Sequence, residues 1–376
     1  MKRYAELRFV VLSFLVWRGF LFLVAWLASS LVPLRDAFLG CGTVHYRLSP
    51  VLCSQANFDG VPYLMIAERG YGAYQQAFFP LYPLLIRYLS PVFGGNLLMT
   101  GLVITNLSFL IALLLLYQLI RLHYSKENAR MTILSLLLFP TSFFFGAVYT
   151  ESLFLCLSVA SFYLAYRKKW ILGSLFSSLA SATRLTGVTL LVPLTMIAFF
   201  RDKGRATFLK IVSLMLVPVG LLAYMRYLKL THDSYFFFFQ VQPAFGAGRS
   251  GGEFIFLPQV FWRYFQIFLT VSPRVYEFWI AVGEIVFFLL ACSVLILFWK
   301  RLNTEYAIYA GIGLLIPTLT GTFLSIPRFV ITLFPVFLAF AFLHERMKKL
   351  GIVFLAVSGV LLLVASSLFY TGYWIS

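Results

Sequence analysis

The chain has 376 residues, is 61% hydrophobic and only 11% charged. A soluble domain of this size cannot hide that much apolar surface, so most of the chain is solvated by lipid. The net charge of +17 does not point to nucleic acid, because the Lys and Arg residues cluster in short connectors between apolar runs.

Apolar runs of about twenty residues recur along the sequence, which reads as helices rather than the alternating pattern of a barrel. In chain order the predicted spans cover roughly 9–31, 97–120, 131–149, 151–167, 170–183, 185–200, 207–229, 277–299, 305–325, 329–344 and 350–371, about eleven in all. The expected fold class is an all-α polytopic membrane protein. It forms one integral membrane domain over 1–376, with no internal repeat and no segment polar enough to be a separate soluble domain. The first run is too long for a signal peptide and lacks a clear cleavage site before Pro33, so it is expected to be a retained span. Arg18 lies inside it and reads as structural pairing or headgroup contact.

The basic clusters are Lys2, Arg3 and Arg8; Arg121, Lys126 and Arg130; Arg167, Lys168 and Lys169; Arg201, Lys203, Arg205 and Lys210; Lys300 and Arg301; and Arg346, Lys348 and Lys349. The positive-inside rule puts these connectors and the N-terminus in the cytoplasm. Two long loops then face outward, at about 32–96 and 230–276.

The first outward loop begins with Cys41 and Cys53, which are either a disulfide or two free thiols, since sequence does not give their separation. Residues 59–69 are predicted to form a short helix with an apolar face at Val61, Leu64 and Met65, broken by Gly70 and Gly72. FFPLYPLLIRYLSP reads as a second short helix at the membrane surface, rich in interfacial aromatics. Further on, the pair 170–183 and 185–200 is short for two full crossings and reads as a hairpin turning at SATRLTG. The second loop, YFFFFQVQPAFGAGRSGGEFIF, joins an aromatic run to a glycine-rich stretch suited to a mobile lid. Cys156 and Cys292, within apolar runs, are expected to be packing residues.

Asp59 is the leading candidate for chemistry. It is an acid just beyond the first span, beside the membrane surface, and suits removal of a proton from a sugar hydroxyl. A helix N-cap is the plainer alternative. Glu68 and Arg69 are either part of a site or an ordinary surface salt bridge. Arg184 lies between two apolar runs, where a charge is expensive and faces a cavity or a partner; a lipid phosphate or an acid such as Glu151 or Glu284 would serve. Arg328 begins a span at the outer face and either binds phosphate or snorkels. Glu151 caps a helix or positions a polar group, and Gln240 and Gln242 either hydrogen-bond sugar hydroxyls or are ordinary loop residues. The four histidines, His45, His123, His232 and His344, are scattered, and no metal-ligand set or phosphate-cradling glycine motif is present, so neither a metal nor a cofactor is expected.

Four segments resemble the PIG-V-like mannosyltransferases, the group containing the enzyme that adds the second mannose to glycosylphosphatidylinositol anchors, within the GT-C superfamily. They are FDGVPYLMIAERGY followed by AFFPLYPLLIR; FPTSFFFGAVYTESLFLCLSVASFYLAYRKKW; GSLFSSLASATRLTGVTLLVPL; and SIPRFVITLFPVFLAFA, in the family's order. The resemblance implies a GT-C-like bundle, a polyprenyl-phosphate sugar donor and inversion at the anomeric carbon. It also implies an acceptor, whether glycan, glycolipid or protein, approached from the extracytoplasmic side. The family's loop acid falls on Asp59 and its arginine on Arg184; Phe58 stands where the family often has tryptophan. The expected protein is therefore an inverting glycosyltransferase, with mannose as the sugar. It would sit in the cell membrane of a prokaryote or the endoplasmic reticulum of a eukaryote. A transporter or lipid flippase is the rival from another class, and only Arg18, Arg184 and Glu284 approach the mid-membrane charges it needs. A non-catalytic lipid-binding subunit is the second rival, and would tolerate loss of Asp59.

Overall fold

The computed structural model describes residues 2–202, 208–246 and 248–375. Lys203 and Arg205 of the basic connectors lie outside these residues, as do the side chains of Lys2 and Arg3. Among the described residues the secondary structure is helical, with no strand. Five helices are long and apolar enough to cross a membrane: Glu6–Leu31, Leu97–Arg121, Phe208–His232, Tyr276–Leu297 and Lys348–Tyr370. They fall on predicted runs. Glu151–Tyr166 and Trp170–Ser181 also match predicted runs, but with 16 and 12 residues. Local chemistry fixes several starts: the Asn96 side chain accepts the Met99 N–H at 2.9 Å and the Ser125 hydroxyl accepts the Asn128 N–H at 3.0 Å.

The chain forms two compact units. One comprises Met1–Gly70, Leu81–Tyr163 and Phe337–Ile375; the other comprises Tyr71–Pro80 and Leu164–Val336. In the first, Phe109 is fully buried, stacked on Phe145 at 4.2 Å and packed by Trp17 at 5.0 Å. Between helices solvated by lipid, such contacts hold by close packing rather than by release of water.

The run at 131–149 departs from expectation. Its helix, Lys126–Leu137, ends early, and residues 138–150 form turns and the short 3-10 helix Ser142–Phe145. Pro140 lacks an N–H and disfavours helical backbone at Phe139. The Ser142 hydroxyl takes over locally, donating to the Leu137 carbonyl at 2.6 Å and accepting from Trp17 Nε1 at 3.2 Å. Every residue from 139 to 150 is buried, the condition under which irregular backbone persists at membrane depth.

In the second unit Trp170–Ser181 is followed by the 3-10 helix Leu185–Leu190, and Arg184 between them is extended, with φ −153° and ψ 147°. The returning segment packs so closely that a Cβ on Gly187 would lie 2.3 Å from the Ala180 carbonyl. Gly187→Ala is therefore expected to destabilise the protein by about 1–3 kcal/mol. A thermal unfolding midpoint equal to that of the wild type would contradict this packing. Lys210, read from sequence as a connector residue, is buried, with Nζ 3.0 Å from an Asp202 carboxylate oxygen and 3.1 Å from the Ala198 carbonyl.

Candidate active site

In the first unit, Asp59 immediately precedes the helix Gly60–Arg69 and is half-buried. It occupies the cap position, yet its side chain makes no capping hydrogen bond. Its backbone is pinned instead: the Asp59 N–H donates to the Tyr149 hydroxyl at 3.2 Å, which itself donates to the Asn57 carbonyl at 2.9 Å. Phe58 holds a left-handed φ of 56°, a strained conformation for an aromatic residue. Its ring packs against Phe38 and Phe369, each 5.9 Å away, and makes a T-shaped contact with Trp374 at 5.2 Å.

A buried polar layer lies beneath. Asn57 accepts the Gly40 N–H at 3.0 Å and donates to the Phe369 carbonyl at 2.9 Å. The Gln55 carbonyl accepts the Val148 N–H at 2.8 Å, while its side-chain oxygen accepts from Arg18 Nη1 at 3.2 Å. The intramembrane Arg18 is thus a structural pairing; its guanidinium also lies 4.0 Å from the Phe22 ring centre. Cys41 and Cys53 are joined in a disulfide, their Cα atoms 5.4 Å apart, just before this layer.

Glu151 is fully buried at the first turn of Glu151–Tyr166, two residues beyond Tyr149. Nearby, the Tyr63 and Thr150 hydroxyls lie 3.4 Å apart, and Tyr82 bonds Thr105 at 2.7 Å. Burial pushes the Tyr82 phenol far above its ordinary value, with Thr105 opposing and the charges of Tyr63 and Glu151 adding. Tyr82 is therefore a neutral hydrogen-bond donor.

The helix that follows Asp59 ends at Gly70, whose φ of 87° suits glycine. Its buried face is Tyr63, Ile66 and Ala67 rather than the expected Val61, Leu64 and Met65; Met65 is exposed. The Arg87 guanidinium closes the C-terminal end, donating to the Ala67 carbonyl at 2.6 Å and the Ile66 carbonyl at 3.2 Å. Glu68 and Arg69 pair with each other at 3.1 Å in solvent. Such a pair contributes little, so Glu68→Gln and Arg69→Gln are each expected to keep activity within about twofold of wild type. A larger loss in either initial rate would place the pair in the site.

In the second unit, the Arg184 guanidinium lies 4.7 Å from the Phe329 ring centre. Phe329 follows Arg328 on the short helix Ile326–Val330, so Arg184 packs against the element that carries Arg328. The turn before that helix is anchored by Glu284, which is buried in the candidate span Tyr276–Leu297. Its carboxylate accepts the Ser325 N–H at 3.2 Å and a hydrogen bond from the Tyr264 hydroxyl. Ser325 is itself left-handed, with φ 66°. Gln240 is exposed, whereas Gln242 holds its own loop, donating to the Phe238 carbonyl at 3.2 Å and accepting from Arg249 at 3.1 Å.

Asn57, Tyr149 and Gln55 escaped the sequence reading. The only signal for them was polarity within otherwise apolar or aromatic segments.

The sequence profile of the family described as mannosyltransferase (PIG-V) matches residues 7–299. The chain belongs to this family. The matched segment contains Asp59, Glu151, Arg184 and Glu284 but not Arg328. No curated protein matches it significantly. Among solved structures, the PIG-V chain is similar to an Archaeoglobus fulgidus oligosaccharyltransferase in its apo form, with 12% identity, a TM-score of 0.49, and coverage of 99% of this chain and 56% of that one. The same enzyme in complex with an inhibitory peptide and a dolichol-phosphate gives 11% identity, a TM-score of 0.46, and coverage of 100% and 56%. The PIG-V chain thus spans little more than half the length of that protein.

Proposed function

We propose that this PIG-V family member transfers mannose from a polyprenyl-phosphate carrier to an acceptor hydroxyl on the extracytoplasmic side of the membrane, with inversion at the anomeric carbon. The observation that carries the reading is Asp59: an acid at a cap position that does not cap, on a strained and buried mount. Asp59 accepts the proton of the acceptor hydroxyl as that oxygen attacks the anomeric carbon from the face opposite the phosphate. The C–O bond to phosphate breaks, and the phosphate leaves with the bonding electrons. Arg184, assisted by Arg328, stabilises the charge growing on that group through its fork of donors. The isoprenoid tail stays in lipid. A glycan, a glycolipid and a protein hydroxyl are all compatible acceptors.

Stereochemistry tests the mechanism. With a β-linked mannosyl phosphopolyprenol as donor, the product should be the α-mannoside by its one-bond C–H coupling in NMR. A β-linked product would mean retention and would remove Asp59 from the role of base.

A further inference from the structure

Glu284 takes no part in the reaction derived above, yet it is 3% exposed within the candidate span Tyr276–Leu297. A carboxylate at such depth is expensive and usually marks function. What it touches is the turn 319–325 of the second unit. Phe288, one helical turn further along, packs 4.6 Å from the fully buried ring of Phe323, which Tyr264 also meets at 4.9 Å. Upstream, the turn is held by Arg263 Nη1, which donates to the Gly321 carbonyl at 3.0 Å, and by the Thr322 hydroxyl, which accepts the Leu324 N–H at 3.0 Å. Downstream, Glu284 holds it at the Ser325 N–H.

Ser325 is where the turn becomes a helix. Its left-handed φ of 66° is costly for a residue with a Cβ, so its surroundings must hold it. Its own side chain does not: the buried hydroxyl has no hydrogen-bond partner among the described residues. The N–H is fixed instead by the carboxylate of Glu284, whose other oxygen accepts from the Tyr264 hydroxyl. On the far side, the Ser325 carbonyl accepts the Arg328 N–H and the Phe329 N–H, both at 3.0 Å. Contacts therefore run without a break from the Glu284 carboxylate through Ser325 to the backbone of Arg328 and of Phe329, whose ring lies against Arg184.

We infer that Glu284 is a positioning residue for the donor phosphate: by fixing Ser325 it sets the helix that bears Arg328 and that Arg184 packs against. The inference rests on the assignment of those two arginines to the phosphate. A carboxylate suits the task because its two oxygens accept from Ser325 and Tyr264 at once, through charge-assisted bonds.

The test titrates farnesyl phosphate into the full chain in phosphatidylcholine nanodiscs by calorimetry, with empty nanodiscs as reference and farnesol as the control that lacks the phosphate. Glu284→Ala should raise the dissociation constant of farnesyl phosphate about tenfold and leave farnesol unchanged. Glu284→Gln, which keeps an acceptor for the Ser325 N–H, should stay within about threefold of wild type. Ser325→Gly added to Glu284→Ala should return most of the lost affinity, because glycine holds this backbone unaided and no hydrogen bond of the serine hydroxyl is given up. A merely structural loss would not be rescued in this way. Should Glu284→Ala fail to fold, Glu284→Asp, one methylene too short to reach Ser325, takes its place in the same comparison. Wild-type affinity in the single variant, or no recovery in the double variant, overturns the inference. In turnover assays the donor KM should rise about tenfold with the acceptor KM unmoved; the opposite split also overturns it. Arg184→Ala and Arg328→Ala separate the two levels. If they lose farnesyl phosphate while Glu284→Ala does not, the positioning role fails and the phosphate reading stands. If both bind it as wild type does, the phosphate reading fails and the inference falls with it.

Discussion

Asp59→Asn is expected to lower the transfer rate by at least about a hundredfold, the low end of what a positioned base contributes, with the unfolding midpoint unchanged. The substitution separates the two readings of this residue. Asparagine caps a helix about as well as aspartate, so a residue that served only to start Gly60–Arg69 would survive the change. The local mount would also survive, because the Asp59 contact to Tyr149 is made by the backbone N–H and the Tyr149 contact to Asn57 is made to a carbonyl. What asparagine lacks is a proton acceptor of useful basicity. Initial rates in reconstituted vesicles, alongside thermal unfolding, decide between base and cap.

Arg184→Ala is expected to reduce kcat by about a hundredfold, the scale on which one preorganised donor stabilises developing charge. The contact with Phe329 amounts to about 0.5–1 kcal/mol at a partly exposed site, and the thermal unfolding midpoint, measured alongside the rate, separates a lost reaction from a lost fold. Arg184→Lys sharpens the test. Lysine keeps the charge and the reach but loses the planar fork, so it should recover only a small part of the rate if two phosphate oxygens are gripped together. Full recovery with lysine would reduce Arg184 to a diffuse positive charge, and an unchanged rate with alanine would remove it from the reaction.

The candidate residues were legible in the sequence where an ionisable side chain stands in an apolar setting. Asp59 and Arg184 stood out because ionisable groups are scarce in and beside apolar runs. The boundary at Gly70 was legible because glycine suits the left-handed backbone that ends the helix there. The mount was not legible. Tyr149 and Asn57 act through contacts between residues 92 positions apart in the chain, and no local pattern encodes such a meeting. The helix that follows Asp59 shows the same limit, because its neighbours in space bury Tyr63, Ile66 and Ala67 and local periodicity had favoured another stripe. The run at 131–149 misled for a physical reason: hydropathy reports burial, and residues 139–150 are buried, but Pro140 and the Ser142 bonds divert them from a helix. That irregular segment carries Val148 and Tyr149 to the Asp59 mount, so the departure from a simple span is part of how the site is built.

The proposed reaction requires a lipid-phosphate sugar, rather than a soluble nucleotide sugar, as the donor. The most direct measurement supplies the purified protein in liposomes with either radiolabelled polyprenyl-phosphate mannose or a radiolabelled nucleotide-diphosphate mannose, and follows label into the acceptor. Transfer from the lipid donor alone, lost in Asp59→Asn, is the predicted result. Transfer from the nucleotide sugar with no polyprenyl carrier present would contradict it.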